Sequence, residues 1–354
     1  MKLRVPEYFK EFHCIADKCS DCCCIGWEID IDDETANNYK QISGKFGEKL
    51  RNNINFGRAK SFILDKDERC PFLNDKNLCE IFITLGENSL CEICREHPRF
   101  YEWFNGIKEG GIGLCCEEAA RIILSQDKEF KTYEIETPFE DADKYDYNLY
   151  LYLYEARKKI IEYLDNTKLP LNLRIRNVLV YAYNIQYNID NNILDIIDIS
   201  NVSANLKSDL QPIIEFFLNL EPFDVNWISY LKNCIDVYNN YSYKMDEFES
   251  THPEIFRYLH NISIYFIWRY FLKGVFDTDV ISKVKLMVVS VAVIKVLFFC
   301  KWIEIGKLVF DDCVLIAKNY SKEIEYSEDN LFDLVKAGYE VEEFWVEKLV
   351  GLFL

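Results

Sequence analysis

Residues Leu286–Cys300 read LMVVSVAVIKVLFFC. How this stretch is read decides the fold, because it is either a membrane span or the centre of a helical body. Lys295 interrupts it, and Lys283, Lys285 and Lys301 stand around it. The run falls short of the roughly 20 uninterrupted apolar residues that a span requires. A helix that is apolar on every side belongs at the centre of a protein core. The stretch is therefore read as a buried helix over about 279–304, and no membrane partner is expected.

Outward from it the helical period repeats. Apolar stripes predict helices over about 145–164, 173–189, 206–219, 226–241, 252–273, 311–325 and 329–352. Thr251 and Pro253 supply a cap and a first-turn proline for the 252–273 helix. Leu331, Val335, Tyr339, Phe344 and Leu349 line the last helix, with a bend expected near Gly338. No fixed-period repeat is visible, which disfavours a solenoid.

Before residue 127 the chain changes character. Eleven of its fourteen cysteines lie before residue 117. The acidic, Pro138-containing segment 131–144 reads as a linker. The expected fold is mainly α. A small Cys-rich metal-binding domain with short strands and helices occupies 1–130, and an all-helical domain occupies 145–354.

The local signals in the first part are short. Trp27–Asp32 alternates apolar and acidic residues as a half-buried strand does. Asp32 or Asp33 caps a helix near Thr35, Asn74–Asn77 is a turn, and Gly86 ends a helix that follows Cys79. Ser89 is the expected cap of the helix holding Cys91 and Cys94. These pieces leave little room for an apolar core of their own, so another force is expected to hold them.

Composition narrows the function. The 354 residues are 49% hydrophobic and 28% charged, enough for a sizeable core. The net charge of −18 argues against a nucleic-acid binder or a polybasic membrane-surface protein. The opening MKLRVPEYFKEF lacks an apolar signal core, so a cytoplasmic location is expected. In a reducing compartment clustered thiols read as metal ligands before disulfides.

Spacing sharpens that reading. Cys91 and Cys94 form a C-x-x-C pair, Cys70 precedes Pro71, and Cys14, Cys19, Cys23 and Cys24 form a C-x4-C-x3-C-C run. Soft sulfur donors select an iron–sulfur cluster, zinc or copper(I). A single C-x-x-C knuckle and a surplus of thiols favour iron–sulfur, with zinc left open. Cys22 and Cys115 read as bystanders beside better-placed neighbours, and Cys234, Cys300 and Cys313 as packing residues. His13 and His97 read as solvated or supporting groups near the thiols, and His252 and His260 as helix-cap and helix-face residues.

Familiar catalytic signatures are missing. No P-loop, H-E-x-x-H or G-x-S-x-G occurs, and the glycines from Gly110 to Gly113 are wrongly arranged for a dinucleotide loop. The C-x3-C-x2-C spacing also fails, because Gly26 follows Cys19 and Cys23.

An ordered set of motifs nevertheless stands out. Phe12-His-Cys14, Cys19…Cys23-Cys24-x-Gly26-Trp27, Cys70-Pro-Phe-Leu73, Leu78-Cys79, Leu85-Gly-Glu87, Leu90-Cys91-x-x-Cys94, Pro98-Arg99 and Cys116-x-Glu118-Ala-Ala-Arg121 resemble the flagellin lysine-N-methylase family. The N-terminal part is also similar to zinc- or iron-chelating proteins. The resemblance covers about the first third of the chain, with Arg269-Tyr270-Phe271 the most family-like piece beyond it. Glu117 departs from the pattern, standing where the family usually has proline.

The resemblance implies a protein-lysine N-methyltransferase that uses S-adenosylmethionine, acts on flagellin and carries an iron–sulfur cluster, [4Fe-4S] by preference and zinc as the alternative. It implies Cys14, Cys19, Cys23, Cys24, Cys70, Cys79, Cys91, Cys94 and Cys116 as metal-ligand candidates. A cubane takes about four thiolates, so nine positions are too many for one cluster. Glu28, Glu87 and Glu118 are candidate bases for the substrate amine, and Arg99 and Arg121 candidate partners of the cofactor carboxylate. The competing reading is a non-catalytic module stabilised by zinc or iron, whose helical part binds a protein.

Overall fold

The computed structural model describes residues 1–353 except positions 21, 27, 105, 139, 141–143 and 196–206. Strand β1 (Lys2–Pro6) is followed by α1 (Asp33–Gln41), α2 (Gly44–Asn52), the paired strands β2 (Ile54–Phe56) and β3 (Lys60–Phe62), α3 (Glu80–Leu85) and α4 (Glu92–Glu96). Next come β4 (Arg99–Phe104), β5 (Ile107–Ile112), α5 (Glu117–Ser125) and β6 (Thr132–Glu136). The rest is helical: α6 (Tyr147–Asp165), α7 (Leu171–Asp190), α8 (Gln211–Phe216), α9 (Trp227–Tyr241), α10 (Met245–Thr251) and α11 (Ile255–Tyr270). Then follow α12 (Gly274–Asp277), α13 (Ile281–Ile305), α14 (Phe310–Glu325), α15 (Glu328–Glu340) and α16 (Val346–Gly351). The protein is mainly α, as its periodicity predicts.

The chain divides into two compact units. The thiol unit is Phe12–Phe100 with Cys116–Glu118. The helical unit is Met1–Glu11, Tyr101–Cys115 and Ala119–Leu354. The thiol unit is thus shorter at both ends than the 1–130 domain expected from composition. The reason is a sheet in the helical unit with strand order β4-β5-β1-β6. Its β1 runs parallel to β5 and antiparallel to β6, from Lys2 opposite Glu136 to Pro6 opposite Thr132. Thr132–Glu136, about a third of the expected linker, is therefore strand β6, paired with a segment more than 120 residues away; positions 139 and 141–143 of that linker lie outside the described residues.

A buried ion cluster ties this sheet to α6. Arg4 on β1 stands in register with Glu109 on β5 and Glu134 on β6. Its guanidinium reaches Glu109 at 3.1 Å and Glu134 at 2.9 Å. Arg157 on α6 grips both Glu109 oxygens at 2.7 Å, a bidentate pair. Arg157 and Glu109 are only 2% and 4% exposed, so each charge depends on the other for solvation. Trp268 lies 4.3 Å from the Arg157 guanidinium and donates its indole N–H to Gly110 O at 2.9 Å. A Cβ at Gly110 would fall 2.8 Å from the Tyr101 ring, which explains the glycine that failed as a phosphate loop.

Helix α13 forms the axis of the helical unit and packs against α7, α9, α11, α14 and α15. From Ile281 to Cys300 every residue except Lys283 and Lys295 is buried. By length and composition it is apolar enough to cross a membrane, yet neighbouring helices cover most of it. Buried Lys285 donates to Gly338 O at 2.5 Å, and Lys295 pairs with Glu249. Three helix ends differ from expectation. The helix expected from residue 252 begins at Ile255, and Thr251 instead ends α10. The last helix breaks at Val341, beyond the bend expected at Gly338. Of the 206–219 helix only α8 and a 3-10 turn at Phe217–Asn219 are seen, with residue 206 outside the described residues.

The thiol unit does hold an apolar core, contrary to the sequence expectation. Ile29, Ile31, Tyr39, Leu50, Ile54, Phe62, Phe72 and Ile81 are buried together. The alternation over 28–32 is real: Ile29 and Ile31 face in, whereas Glu28 and Asp30 are exposed. Only an isolated bridge from Asp30 to Ser61 is strand-like, and Trp27 lies outside the described residues.

Two outcomes follow. Glu109→Ala strands the Arg157 charge and should cost the helical unit about 3–5 kcal/mol in urea unfolding. A loss under 1 kcal/mol would contradict the pairing. Glu323, on α14, accepts backbone N–H groups of Phe223 and Asp224 at 2.7 and 2.9 Å. Burial pushes its carboxyl up to about 7 against those N–H groups. Its folded-state value is therefore above the unfolded one, so its contribution is complete below about pH 4.5 and is lost as pH rises through about 7. Glu323→Gln should flatten the melting temperature against pH between those values.

Candidate thiol centre

Four chain segments carry thiols to one side of the thiol-unit core. Buried Cys70 and Cys91 belong to that core, with Cys24, Cys79 and Cys94 packed against it. Local hydrogen bonds explain how. Cys70 N donates to Cys24 O at 3.0 Å, and Gly26 N to Glu68 O at 3.1 Å, joining the first two segments. Gly26 has φ +91°, a value that glycine adopts without strain just after the cysteine run. Asn74 closes the turn between Cys70 and Cys79, its side chain accepting the N–H groups of Lys76 and Leu78 at 2.9 and 3.0 Å. Leu73 then pairs with Cys79.

Asp32 organises the fourth segment. One carboxylate oxygen caps α1 through Thr35 N at 2.8 Å, and the other accepts Glu92 N in the first turn of α4 at 3.0 Å. Tyr39 donates its hydroxyl to Ser89 O at 2.6 Å, which holds the approach to Cys91. Cys91, not Ser89, stands at the N-cap of α4, and Cys94 lies one turn on. The Ser89 hydroxyl donates back to Leu85 O.

The thiols feel one another. A hydrogen bond with Cys94 lowers the Cys91 thiol, and the same bond raises Cys94. Together they behave as a pair sharing a proton. Cys24 is raised by hydrogen bonds from Cys22 and Cys23, and the Cys23 and Cys24 sulfurs stand 4.0 Å apart. Burial pushes Cys70 up to about 12 and raises Cys79 as well. Cys22, read as a bystander on the sequence, is thus hydrogen-bonded to Cys24. None of the fourteen cysteines is tied in a disulfide. Among the described residues, no three His, Cys, Asp or Glu side chains converge tightly enough to hold a single metal ion.

Cys14 is exposed. Cys19 approaches the Glu117 carboxylate at 3.6 Å, and Ser20 donates to it through its N–H at 2.8 Å. Buried Glu117, the departure from the family pattern, thus fastens the Cys19–Ser20 loop beside Cys116. Cys115 belongs to the helical unit, where burial pushes its thiol up to about 11. Glu28 is exposed and accepts the Ser61 hydroxyl at 2.6 Å; Glu87 is exposed, and Glu118 is half-buried. Arg99 stacks 5.2 Å from the Phe12 ring in the thiol unit. Arg121 pairs with Asp311 in the helical unit.

The helical unit holds polar groups that periodicity alone does not flag. Arg269 donates to Tyr265 Oη at 2.6 Å and lies 3.2 Å from Glu325. Tyr265 and Tyr270 both donate to Glu325 Oε2, at 2.8 and 2.7 Å. The family-like Arg269-Tyr270-Phe271 thus anchors a buried network. His260, read as a helix-face residue, places Nε2 at 3.1 Å from Asp165 Oδ1, and its Nδ1 is buried without a partner. Its helical pattern hid it, since Asp165 is 95 residues earlier.

No solved structure matches this chain. Over 129 residues, 34% of its length, it is 27% identical to the flagellar biosynthetic protein FliU of Salmonella muenchen, covering 75% of that protein. Over the same length it is 26% identical to a lysine-N-methylase of Salmonella typhimurium and to one of Salmonella choleraesuis. The match spans about a third of each of those two proteins, 32%. Residues 157–348 match the family described as FliB lysine N-methylase C-terminal domain. That match falls on the helices, where motif resemblance was weakest, and it covers more than half of the chain. The chain belongs to the FliB lysine N-methylase C-terminal domain family.

Proposed function

We propose that this protein is a protein-lysine N-methyltransferase that takes its methyl group from S-adenosylmethionine, acts on flagellin, and carries an iron–sulfur cluster on the thiol unit. The family match over 157–348 carries the methylase part. The names of the relatives, one flagellar and two lysine-N-methylases, support the flagellar substrate.

The cluster reading rests on the donor set. Soft thiols suit iron and sulfide, and a cubane takes about four of them. Cys70, Cys79, Cys91 and Cys94 are the proposed ligands, with Cys24 as the spare member of the same core. Each thiolate of a cubane has its own iron, so the four sulfurs stand farther apart than ligands sharing one ion. The surplus of thiols over the four that a single zinc takes favours a cluster over a lone zinc. When bound, such a cluster supplies positive iron centres that keep the thiolates ionised.

The chemistry asked of the protein is modest. A lysine ammonium is not a nucleophile and must first lose its proton. Apolar surroundings lower its pKa, and a positioned base receives the proton. S-adenosylmethionine supplies an electrophilic sulfonium methyl. The amine's lone pair then forms the N–C bond.

Two measurements check this reading. Protein purified without oxygen should be brown and contain iron and acid-labile sulfide. Cys94→Ser should lower iron content at least tenfold, whereas Cys234→Ser, in the helical unit, should leave it unchanged. Colourless protein with stoichiometric zinc would favour the non-catalytic module instead. Incubated with labelled S-adenosylmethionine and flagellin, the cluster-replete chain should yield methyl-lysine by mass spectrometry. No incorporation would remove the methylase reading.

A further inference from the structure

We infer that a cavity in the helical unit is the pocket for the substrate amine, with His260 as the base that takes its proton; this rests on the methylase reading above. The cavity has a volume of about 90 Å³ and is walled by the Glu7–Glu11 turn, the 126–131 loop and α11. One ordered water needs only about 10–15 Å³, so the space admits a chain of several atoms. Tyr8, Phe130 and Ile264 supply apolar wall, as the methylenes of a lysine side chain require. Glu7, Glu11 and Glu129 supply carboxylates, with Lys128 and Lys131 as the basic residues of the lining.

The wall is fixed before any ligand arrives. Asn261 donates its amide N–H groups to Leu124 O and Gln126 O at 3.1 and 2.8 Å, pinning the start of the loop. Glu7 N donates to Lys131 O at 2.9 Å, pinning its end. In between, Phe130 N donates to Asp165 Oδ2 at 3.3 Å. Asp165 Oδ1 lies 3.1 Å from His260 Nε2. That contact assigns the proton to Nε2 and leaves Nδ1 with a lone pair. His260 lines the cavity, and its buried Nδ1 has no hydrogen-bond partner. A buried polar atom left unpaired is unfavourable, so a donor that reaches it from the cavity is favoured.

The step balances. One ammonium N–H bond breaks and its proton forms the Nδ1–H bond, making an imidazolium whose Nε2–H stays on Asp165. The electron pair left on the amine forms the N–C bond to the methyl as the C–S bond of the sulfonium donor breaks towards sulfur.

The test uses the full chain with histidine rings labelled by nitrogen-15 and n-butylamine as the probe. The His260 ring signals, assigned by their absence in His260→Asn, should move on titration, and Glu129→Gln should weaken the response at least threefold. In turnover, His260→Gln should lower kcat about a hundredfold or more with KM within threefold of wild type. Asp165→Asn, which acts through the ring, should lower kcat less. The circular dichroism and melting temperature of each variant report whether it folds. Unmoved His260 signals, or a folded His260→Gln with kcat within threefold of wild type, would overturn the inference. If butylamine moves His260 while wild type methylates nothing, the amine pocket stands and the methylase reading falls. If wild type methylates flagellin and His260→Gln matches it, the pocket falls alone.

Discussion

Several thiols crowded at the edge of one apolar core cannot all ionise by themselves. Burial disfavours each charge, and every thiolate formed opposes the next. Cys70, Cys79, Cys91, Cys94 and Cys24 are under this constraint together. They remain neutral, share protons in pairs as Cys91 and Cys94 do, or receive a cation. Much of the surrounding chain serves to bring them there. Asp32 caps two helices at once, Asn74 closes the turn between two cysteines, and Gly26 turns the chain after a third. Each device is short-range, and together they gather residues up to 70 positions apart.

The helical unit solves a different problem. Its axis, α13, is apolar on all faces and is covered by helices on every side that matters. Such a core leaves its polar groups nowhere to go but to one another. Hence the Arg4–Glu109–Arg157 cluster and the Arg269–Glu325 network, in which buried charges meet opposite charges or hydroxyls. His260 is satisfied on one ring nitrogen only, and among the described residues Arg174 Nε and Ser282 Oγ are likewise buried without a hydrogen bond.

Much of this was legible in the residues. The 3.6-residue period located α6, α7, α9, α13 and α14 to within a few positions, and Lys295 inside an apolar run separated core helix from membrane span. Asp32, Asn74 and Gly86 acted as cap, turn and stop because those roles depend on neighbours two to four residues away. Long-range pairing was not legible. Strand β1 has five residues, and its partners begin more than 100 positions later, so no local pattern announces it. The apolar core of the thiol unit escaped notice for the same reason, being assembled from one or two residues of each of eight segments. Cysteine spacing picked out Cys70, Cys91 and Cys94, and it read Cys22, which hydrogen-bonds Cys24, as a bystander. Glu117 looked like a defect in a motif, and its partner Ser20 lies 97 residues back.

The central claim is that sulfur atoms from these separate segments hold one metal cluster. X-ray absorption at the iron edge of anaerobically purified full-length protein tests it most directly. The account predicts a first shell made of sulfur alone, with a second shell of iron at the short separation of a cluster. A first shell of oxygen or nitrogen, or iron without an iron neighbour, would contradict it.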